Sequence, residues 1–531
     1  MKATSLALSL ALCSSELASA LRLSLHGQPR PKRVGGGLGA RATVAGNTSV
    51  GNIGDVQYTT DITLGGSKFS VQIDTGSSDL WVAGTVPNSK DTGKAAKVQY
   101  AVDGVQGSVD TADLDFAGYT ITDQAYINAP ITPTHTAGSG LIGLGPNTGS
   151  EVKAAIGASN SAGDPVLDRI FRQNTSTPNY ITFLLGRIRD PTDPPNGDLT
   201  VGELIPGYES VTSQPKLSVS TVAKSNSGNQ HWQILLDADG IIGPAGNNVI
   251  DQYNVETAVD STSNDKQLTV VVDTGYSLPQ VPPRVAEAFY ANVPGAQLVN
   301  VASLDGQIWQ LPCDKEVNVT FKFAGVSYPM HPLDTNIDLN MTDGKGNPIC
   351  FGAFQPLQAP DGATYDMIFG MAFLRNVYTY INFGDFVDGA TDTTADPYVQ
   401  LLSTTNDTAE WHADFIKVRG NSPWTPTGAT FAERIRARLP LIIGLSVAAG
   451  VVLLLAIGAC CYYRRRNQRQ RMAFFRPGQM YQPLHEPAPP EAHDLHLVGS
   501  AGGGPPPYAQ QQQGFQQGYN PSYSNPWDAR Y

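Results

Sequence analysis

The sequence predicts an all-β, bilobal fold with pseudo-twofold lobes, followed by one C-terminal transmembrane helix and a disordered tail. Three observations carry this expectation. From about residue 47 to residue 419, short β-branched and aromatic segments such as 58–64, 69–73, 180–185 and 317–323 alternate with Gly, Pro, Asn and Asp, the signature of many short strands joined by turns. Within that stretch an apolar strand ending in Asp-Thr-Gly occurs twice, at 71–76 and at 270–275. Beyond it, residues 439–463 form an apolar run of 25 residues without a charge.

Composition agrees. The chain has 531 residues, 35 of them basic and 47 acidic, for a net charge of −12. Only 15% of residues are charged, and 54 Gly with 38 Pro supply abundant turns. Such a balance suits a turn-rich β protein and excludes a coiled coil or a collagen-like repeat. Residues 34–433 hold 20 basic and 42 acidic residues, so an acidic body lies between basic ends. No basic stripe stands outside the flanks of the apolar run, which argues against a nucleic-acid partner.

The elements follow in order. Residues 1–20 begin Met-Lys, run through the apolar stretch 6–13 and close on Ala18-Ser19-Ala20, a secretory signal peptide with a small-residue cleavage site. Residues 21–33 are short and basic, end in Lys32-Arg33, and read as a propeptide with a dibasic processing site. The glycine run 35–39 follows no strand, so it is not a dinucleotide-binding turn. The body is 34–419, with an N-lobe at about 46–215 and a C-lobe at about 216–419; 284–292 is its clearest helical stretch. Residues 420–438, rich in Pro, Ser and Thr, make a stalk.

At 1.5 Å per residue the 439–463 helix is about 37 Å long, enough to cross a ~30 Å hydrocarbon core. Arg464, Arg465, Arg466, Arg469 and Arg471 follow it, whereas Arg434, Arg436 and Arg438 precede it beside Glu433. The excess puts residues 464–531 in the cytosol. This is the topology of a single-pass type I membrane protein, with its body luminal or extracellular, at the cell surface or in an endosome or vacuole. Asn47, Asn174, Asn318, Asn340 and Asn406 begin glycosylation sequons, all ahead of the span. Cys313 and Cys350 are the two cysteines of the body, and in an oxidising lumen they form one disulfide. Cys460 and Cys461, at the cytosolic end of the span, suit either S-palmitoylation or packing against lipid.

The tail is rich in Pro, Gln, Gly and Tyr and cannot bury a core. Pro505-Pro506-Pro507-Tyr508 fits the aromatic-lined groove of WW-domain proteins. Tyr481-Gln482-Pro483-Leu484 and Asn520-Pro521-Ser522-Tyr523 have the form of sorting signals. His485, His493 and His496 there read as solvated, and His231 and His331 in the body as packed or surface residues, so neither a metal nor a cofactor is expected.

Chemistry concentrates in the repeat. Each Asp-Thr-Gly is followed downstream by an apolar pair and a glycine, Leu141-Ile142-Gly143 after the first and Ile368-Phe369-Gly370 after the second. The doubling suggests that one aspartate from each lobe meets the other at the seam. Two carboxylates about 3 Å apart share a proton and titrate as a pair. One then acts as base on a bound water while the other polarises a carbonyl. No Gly-x-Ser-x-Gly, His-Glu-x-x-His or phosphate-binding loop offers another chemistry.

Asp74-Thr75-Gly76-Ser77-Ser78 with Leu80-Trp81, the run 141–145, Asp273-Thr274-Gly275 and Phe369-Gly370-Met371-Ala372-Phe373-Leu374-Arg375 closely resemble the pepsin-type aspartic proteases. With the span and Pro-rich tail, the chain resembles the membrane-anchored members found in fungi. The resemblance implies a bilobal pepsin-like fold, acid-optimal endopeptidase activity on proteins, and a cleft covered by a hairpin flap. By position it implies Asp74 and Asp273 as the catalytic pair, supported by Thr75, Gly76, Ser77, Thr274 and Gly275. Ser77 would hydrogen-bond Asp74, and Cys313 would pair with Cys350.

Trp81, Tyr100 and Asp103 are the candidates for substrate contact, although Tyr100-Ala101-Val102-Asp103-Gly104 carries one residue more than the family flap. Position 276 is Tyr where the family has Thr or Ser; without that hydroxyl the dyad should be less acidic than usual. The 13-residue propeptide is short for occupying a cleft. The alternative reading is a catalytically impaired binding module of the same fold, or a surface receptor working through its tail. Both intact Asp-Thr-Gly motifs argue for the enzyme.

Overall fold

The structure is a computed structural model describing residues 22–29 and 56–420, apart from the short segments 101–103, 158, 174–177, 188–195, 301–306, 344, 358, 360–361, 385–395 and 406. Its first half supplies β1 (Arg22–Pro29), β2 (Val56–Leu64), β3 (Ser67–Asp74), β4 (Leu80–Ala83), β5 (Lys90–Gln99), β6 (Gly104–Phe116), β7 (Tyr119–Ala129), β8 (Ser139–Gly143), β9 (Tyr180–Leu185), β10 (Asn196–Val201) and β11 (Leu217–Ser218). These join the later strands Val377–Asn382 and Tyr398–Ser403 in one 13-stranded sheet. Its order is β11, Tyr398–Ser403, Val377–Asn382, β9, β10, β1, β2, β3, β8, β4, β7, β6, β5. The sheet therefore ties the end of the body back to its first half.

Local sequence explains the strands that carry the repeat. In β3, Phe69, Val71 and Ile73 are buried while Ser70 and Gln72 are half-buried, the period of two that a strand imposes. The β2–β3 turn is Gly65-Gly66, with φ of 60° and 89°, a conformation that glycine adopts without steric cost. β3 then pairs in parallel with β8, placing Asp74 opposite Gly143. In the second half Thr269–Val272 pairs in parallel with Met367–Phe369, Val272 opposite Phe369. Asp273 N donates to Phe369 O at 3.0 Å. The downstream apolar pair and glycine of each repeat are thus the parallel neighbours of its aspartate strand.

The second half adds a five-stranded sheet that carries this parallel pair, with smaller sheets of four and three strands. Cys313 and Cys350 are disulfide-bonded, and Cys350 lies in the Pro348–Gly352 strand of the four-stranded sheet. One continuous apolar core runs through both halves, including Tyr58, Ile73, Phe183, Trp232, Phe321 and Phe369. The helix expected at 284–292 is Pro283–Tyr290, with Pro at its first turn and Val285, Ala286, Phe289 and Tyr290 buried. Proline there gives up only an N–H that would have no helical partner.

Two elements differ from the sequence expectation. Eight of the thirteen residues assigned to the propeptide form β1 inside the principal sheet, antiparallel to both β10 and β2. Leu25 is fully buried there, and Arg22 donates to Asp198 through Nε at 2.8 Å and Nη2 at 2.5 Å. The folded body therefore takes in residues ahead of the expected boundary at 34. The second difference is a 12-residue helix, Thr408–Arg419, at the body's end. Asp407 caps it by accepting from the N–H groups of Ala409 and Glu410, and Trp411 and Phe415 are its buried residues.

The signal peptide (1–20), the stalk (420–438) beyond Gly420, the span (439–463) and the tail (464–531) lie outside the described residues. Among the described residues no helix is long and apolar enough to cross a membrane. Of the sequon asparagines, Asn318 is described and exposed; Asn47, Asn174 and Asn406 lie outside the described residues, and Asn340 is described for its backbone alone.

Candidate active site

Asp74 ends β3 and Asp273 follows Thr269–Val272 by one residue. Both are buried, 4% and 7% exposed. Gly76 N donates to Asp74 Oδ1 at 2.9 Å and Ser77 Oγ to Oδ2 at 2.5 Å. Gly275 N donates to Asp273 Oδ1 at 2.7 Å, and the Tyr276 N–H adds a second backbone donor. The two loops are near-copies, but Asp74 carries the Ser77 hydroxyl, whereas Asp273 meets the backbone N–H groups of Gly275 and Tyr276 and the Asp74 carboxyl.

Two glycines let the carboxylates approach. A Cβ on Gly76 would strike the Asp273 carboxylate, and one on Gly275 would strike that of Asp74. The threonines between lock the halves together. Thr75 N donates to Thr274 Oγ1 and Thr274 N to Thr75 Oγ1, each at 3.0 Å. Each hydroxyl then donates across the seam, Thr75 to Val272 O at 2.9 Å and Thr274 to Ile73 O at 3.1 Å. These four reciprocal bonds leave the carboxyls side by side.

Electrostatics follow from that packing. Burial pushes the Asp273 carboxyl well above the usual carboxylate range, and the neighbouring Asp74 charge pushes it further. The N–H donors of Gly275 and Tyr276 pull the other way without offsetting it. Two buried like charges in hydrogen-bonding reach cannot both ionise cheaply, so a proton stays on the pair.

The substrate-contact candidates fall around this centre. Trp81 is buried in β4 beside His135, with ring centroids 4.8 Å apart. Tyr100, just beyond the first strand of the β5–β6 hairpin, has its phenol beside Trp81 and Ser77; burial, with the charges of Asp74 and Asp79, holds its hydroxyl protonated far above neutral pH. Tyr100 Oη and Trp81 Nε1 are both buried polar atoms, and the phenol lies within reach of Trp81 and Ser77. Asp103, with Ala101 and Val102, lies outside the described residues.

Sequence reasoning missed several neighbours. Buried Asp79 accepts from Ser150 Oγ at 2.6 Å and from the N–H groups of Glu151 and Val152, which steadies the loop behind Trp81. His231 and Tyr365 lie edge to face with centroids 5.9 Å apart, and Tyr365 sits close enough to Asp273 to feel its charge. Nothing in the spacing of these residues marks them; only the fold brings them to the dyad. Among the described residues no cluster of three His, Cys, Asp or Glu could hold a metal ion.

Comparison with known proteins agrees with this geometry. The family model described as eukaryotic aspartyl protease matches residues 57–387. Over 387 residues the chain is 26% identical to major aspartyl peptidase 1 of Cryptococcus neoformans, covering 67% of this chain and 74% of that protein. It is 28% identical over 362 residues to mouse cathepsin E, covering 62% and 79%. Among solved structures, the aspartic proteinase from Irpex lacteus superposes with a TM-score of 0.50 at 18% identity, covering 66% of this chain and 96% of that one.

Proposed function

The chain belongs to the eukaryotic aspartyl protease family and is an aspartic-type endopeptidase, and we propose that Asp74 and Asp273 are its catalytic pair. The observation that carries this is the reciprocal packing of each carboxylate over the other motif's glycine. Asp74, with a hydroxyl and a backbone donor, carries the negative charge; Asp273, its proton held by burial, is the acid.

A water between them gives one proton to Asp74 as its oxygen attacks the peptide carbonyl carbon. Asp273 donates its proton to the carbonyl oxygen, forming a tetrahedral diol. Asp74 then passes its proton to the amide nitrogen, a diol hydroxyl returns one to Asp273, and the C–N bond breaks. No covalent enzyme intermediate forms. Tyr100 and Trp81, beside Ser77 of the Asp74 loop, line the face on which the substrate backbone would lie.

The buried carboxyls support an acidic working pH, because they favour the folded protein there. Burial raises Asp79, Asp168 (to about 6), Asp273 and Asp366 above ordinary carboxylates. A carboxyl whose folded pKa exceeds its unfolded value contributes stability that is present at low pH and lost as pH rises through the folded value. Asp334, held low by Arg187 and Arg375 despite its burial, and His231, pushed down to about 4, oppose this trend. Among the buried groups the four raised carboxyls outweigh these two, and the lowered carboxylates Asp123, Glu209, Asp239 and Asp343 lie on the surface, where solvent screens them.

The remaining organisation is part of the same proposal: secretion by residues 1–20, processing at Lys32-Arg33, anchoring by 439–463, and a cytosolic tail offering Pro505–Tyr508 to WW-type grooves. The acidic body would then work in a lumen, a vacuole or at the cell surface on unfolded or loop segments of proteins.

The test is cleavage of an unfolded protein by the full chain in detergent between pH 3 and 7, with melting followed in parallel. Cleavage and melting temperature should both be higher at pH 4.5 than at pH 7. A folded, processed protein that cleaves nothing at any pH would favour the binding module.

Tyr276 offers a second prediction. Tyr276→Thr supplies a hydroxyl where Ser77 supplies one to Asp74, and donation to the charged form lowers a carboxyl's pKa. The basic limb of the pH–rate profile should move to lower pH by about half to one unit, on the scale of one charge-assisted bond. An unmoved limb would show that Tyr276 does not tune the dyad.

A further inference from the structure

The two aspartates are joined by a second route that bypasses the threonines. On the second half, Val272, the residue before Asp273, donates its N–H to the Trp232 carbonyl at 2.9 Å. The Trp232 side chain then crosses the seam, its Nε1–H donating to the Leu144 carbonyl at 2.9 Å. Leu144 N in turn donates to the Asp74 carbonyl at 2.7 Å. One residue thus bridges the strand of Asp273 to the backbone of Asp74.

Its neighbour repeats the crossing. The His231 ring lies near the Gly76 carbonyl, close enough to feel it, next to the Ser77 that donates to Asp74. The dipeptide is itself held rigidly. Buried Gln230 accepts from Val222 N and donates to the carbonyls of Ser220 and His231, each at 2.9 Å, and Gln233 N donates to His231 O at 2.9 Å. Trp232 is fully buried and packs edge to face on Phe383 at 4.6 Å. His231 leans on Tyr365.

We propose that Trp232 and His231 form a two-pronged clamp that fixes the separation of the Asp74 and Asp273 carboxyls. They are positioning residues, acting through Leu144 and Gly76 and touching no reacting atom. The proposal rests on the dyad reading above and deepens it. The threonine grip ties the two loops at their centre; the clamp ties the outer side of the Asp74 loop to the strand that delivers Asp273. Two fixed points resist the rotation that one would permit.

The separation sets how strongly the carboxyls repel, and hence how far apart the pair's two apparent pKa values lie. A loosened clamp should bring the two limbs of the pH–rate profile together and lower kcat, while KM holds. A residue that only fills space would change melting temperature and leave the profile alone.

The experiment uses the full chain with three substitutions. Trp232→Phe keeps a ring against Phe383 and removes the donor. His231→Phe keeps a ring against Tyr365 and removes its donor, whereas His231→Gln restores an N–H without the ring. Both Phe variants should lose about tenfold in kcat with KM within about twofold, and the limbs should approach by about half a unit, effects on the scale of one misplaced catalytic contact. His231→Gln should recover most of the His231→Phe loss.

Wild-type kcat and limbs in both Phe variants would overturn the clamp, as would equal losses in His231→Phe and His231→Gln. A wild-type profile without two limbs would instead overturn the dyad reading itself, so the two failures are distinguishable.

Discussion

Asp74→Asn is expected to abolish peptide-bond hydrolysis, lowering kcat/KM by at least about 10⁴-fold, the scale on which an acting base is missed. Asparagine is the same size and keeps an oxygen to accept from Gly76 N or Ser77 Oγ, so the loop has no reason to move. What disappears is the negative charge that takes the proton of water. Substrate binding relies on the cleft walls, so KM or inhibitor affinity should change by no more than a few-fold.

Stability should shift the other way. Asp273 is pushed up partly by the Asp74 charge, and removing that charge relieves a buried like-charge contact. Above the usual carboxylate range, the variant should melt at or above the wild-type temperature. Loss of activity together with retained melting separates chemistry from folding. Asp273→Asn should lose activity to a similar degree, because the pair acts as a unit.

The second large effect is expected at Thr274→Val. The substitution keeps the shape and removes the hydroxyl, which strips Thr75 N–H of its acceptor and Ile73 C=O of its donor. Thr75 and Thr274 are fully buried, so water cannot readily replace the lost hydroxyl. Each buried group left unpaired costs about 1–3 kcal/mol, giving about 2–6 kcal/mol for the variant. Thr75→Val strands Thr274 N–H and Val272 C=O in the same way. The double variant should cost less than the sum of the singles, since residues in one network are not additive. Denaturant melts of the four proteins give the coupling directly. A cost below about 1 kcal/mol in either single variant would mean that the grip is not under tension across the seam.

Much of the site is legible in the amino-acid sequence. The two strands ending in Asp-Thr-Gly, and the Leu-Ile-Gly and Ile-Phe-Gly segments that follow them, are local patterns, and their pairing follows once each is a strand in parallel with its partner. Ser77 lies three residues from Asp74, within one turn, and its bond to the carboxylate is equally local. The disulfide is accessible because the body holds two cysteines.

What escapes is long-range. Little in Arg22–Pro29 announces a central strand: its one arginine, its glycine and its closing proline look like a leader, and its strand character comes from β2 and β10 on either side. The helix Thr408–Arg419 buries only Trp411 and Phe415, too few positions to raise a 3.6-residue period above a polar background. Trp232 and His231 reach the dyad across more than 80 residues of sequence, to Leu144 and Gly76. Spacing alone could not join them.

The most direct test of the account is the pH dependence of kcat/KM for the full chain between pH 2 and 8, measured beside Asp74→Asn. Two carboxyls sharing one proton predict a bell, with an acid limb where Asp74 gains a proton and a basic limb where Asp273 loses its own. The variant should show no measurable activity at the wild-type optimum. A profile with a single limb, or a bell that survives in Asp74→Asn, would contradict the shared-proton dyad.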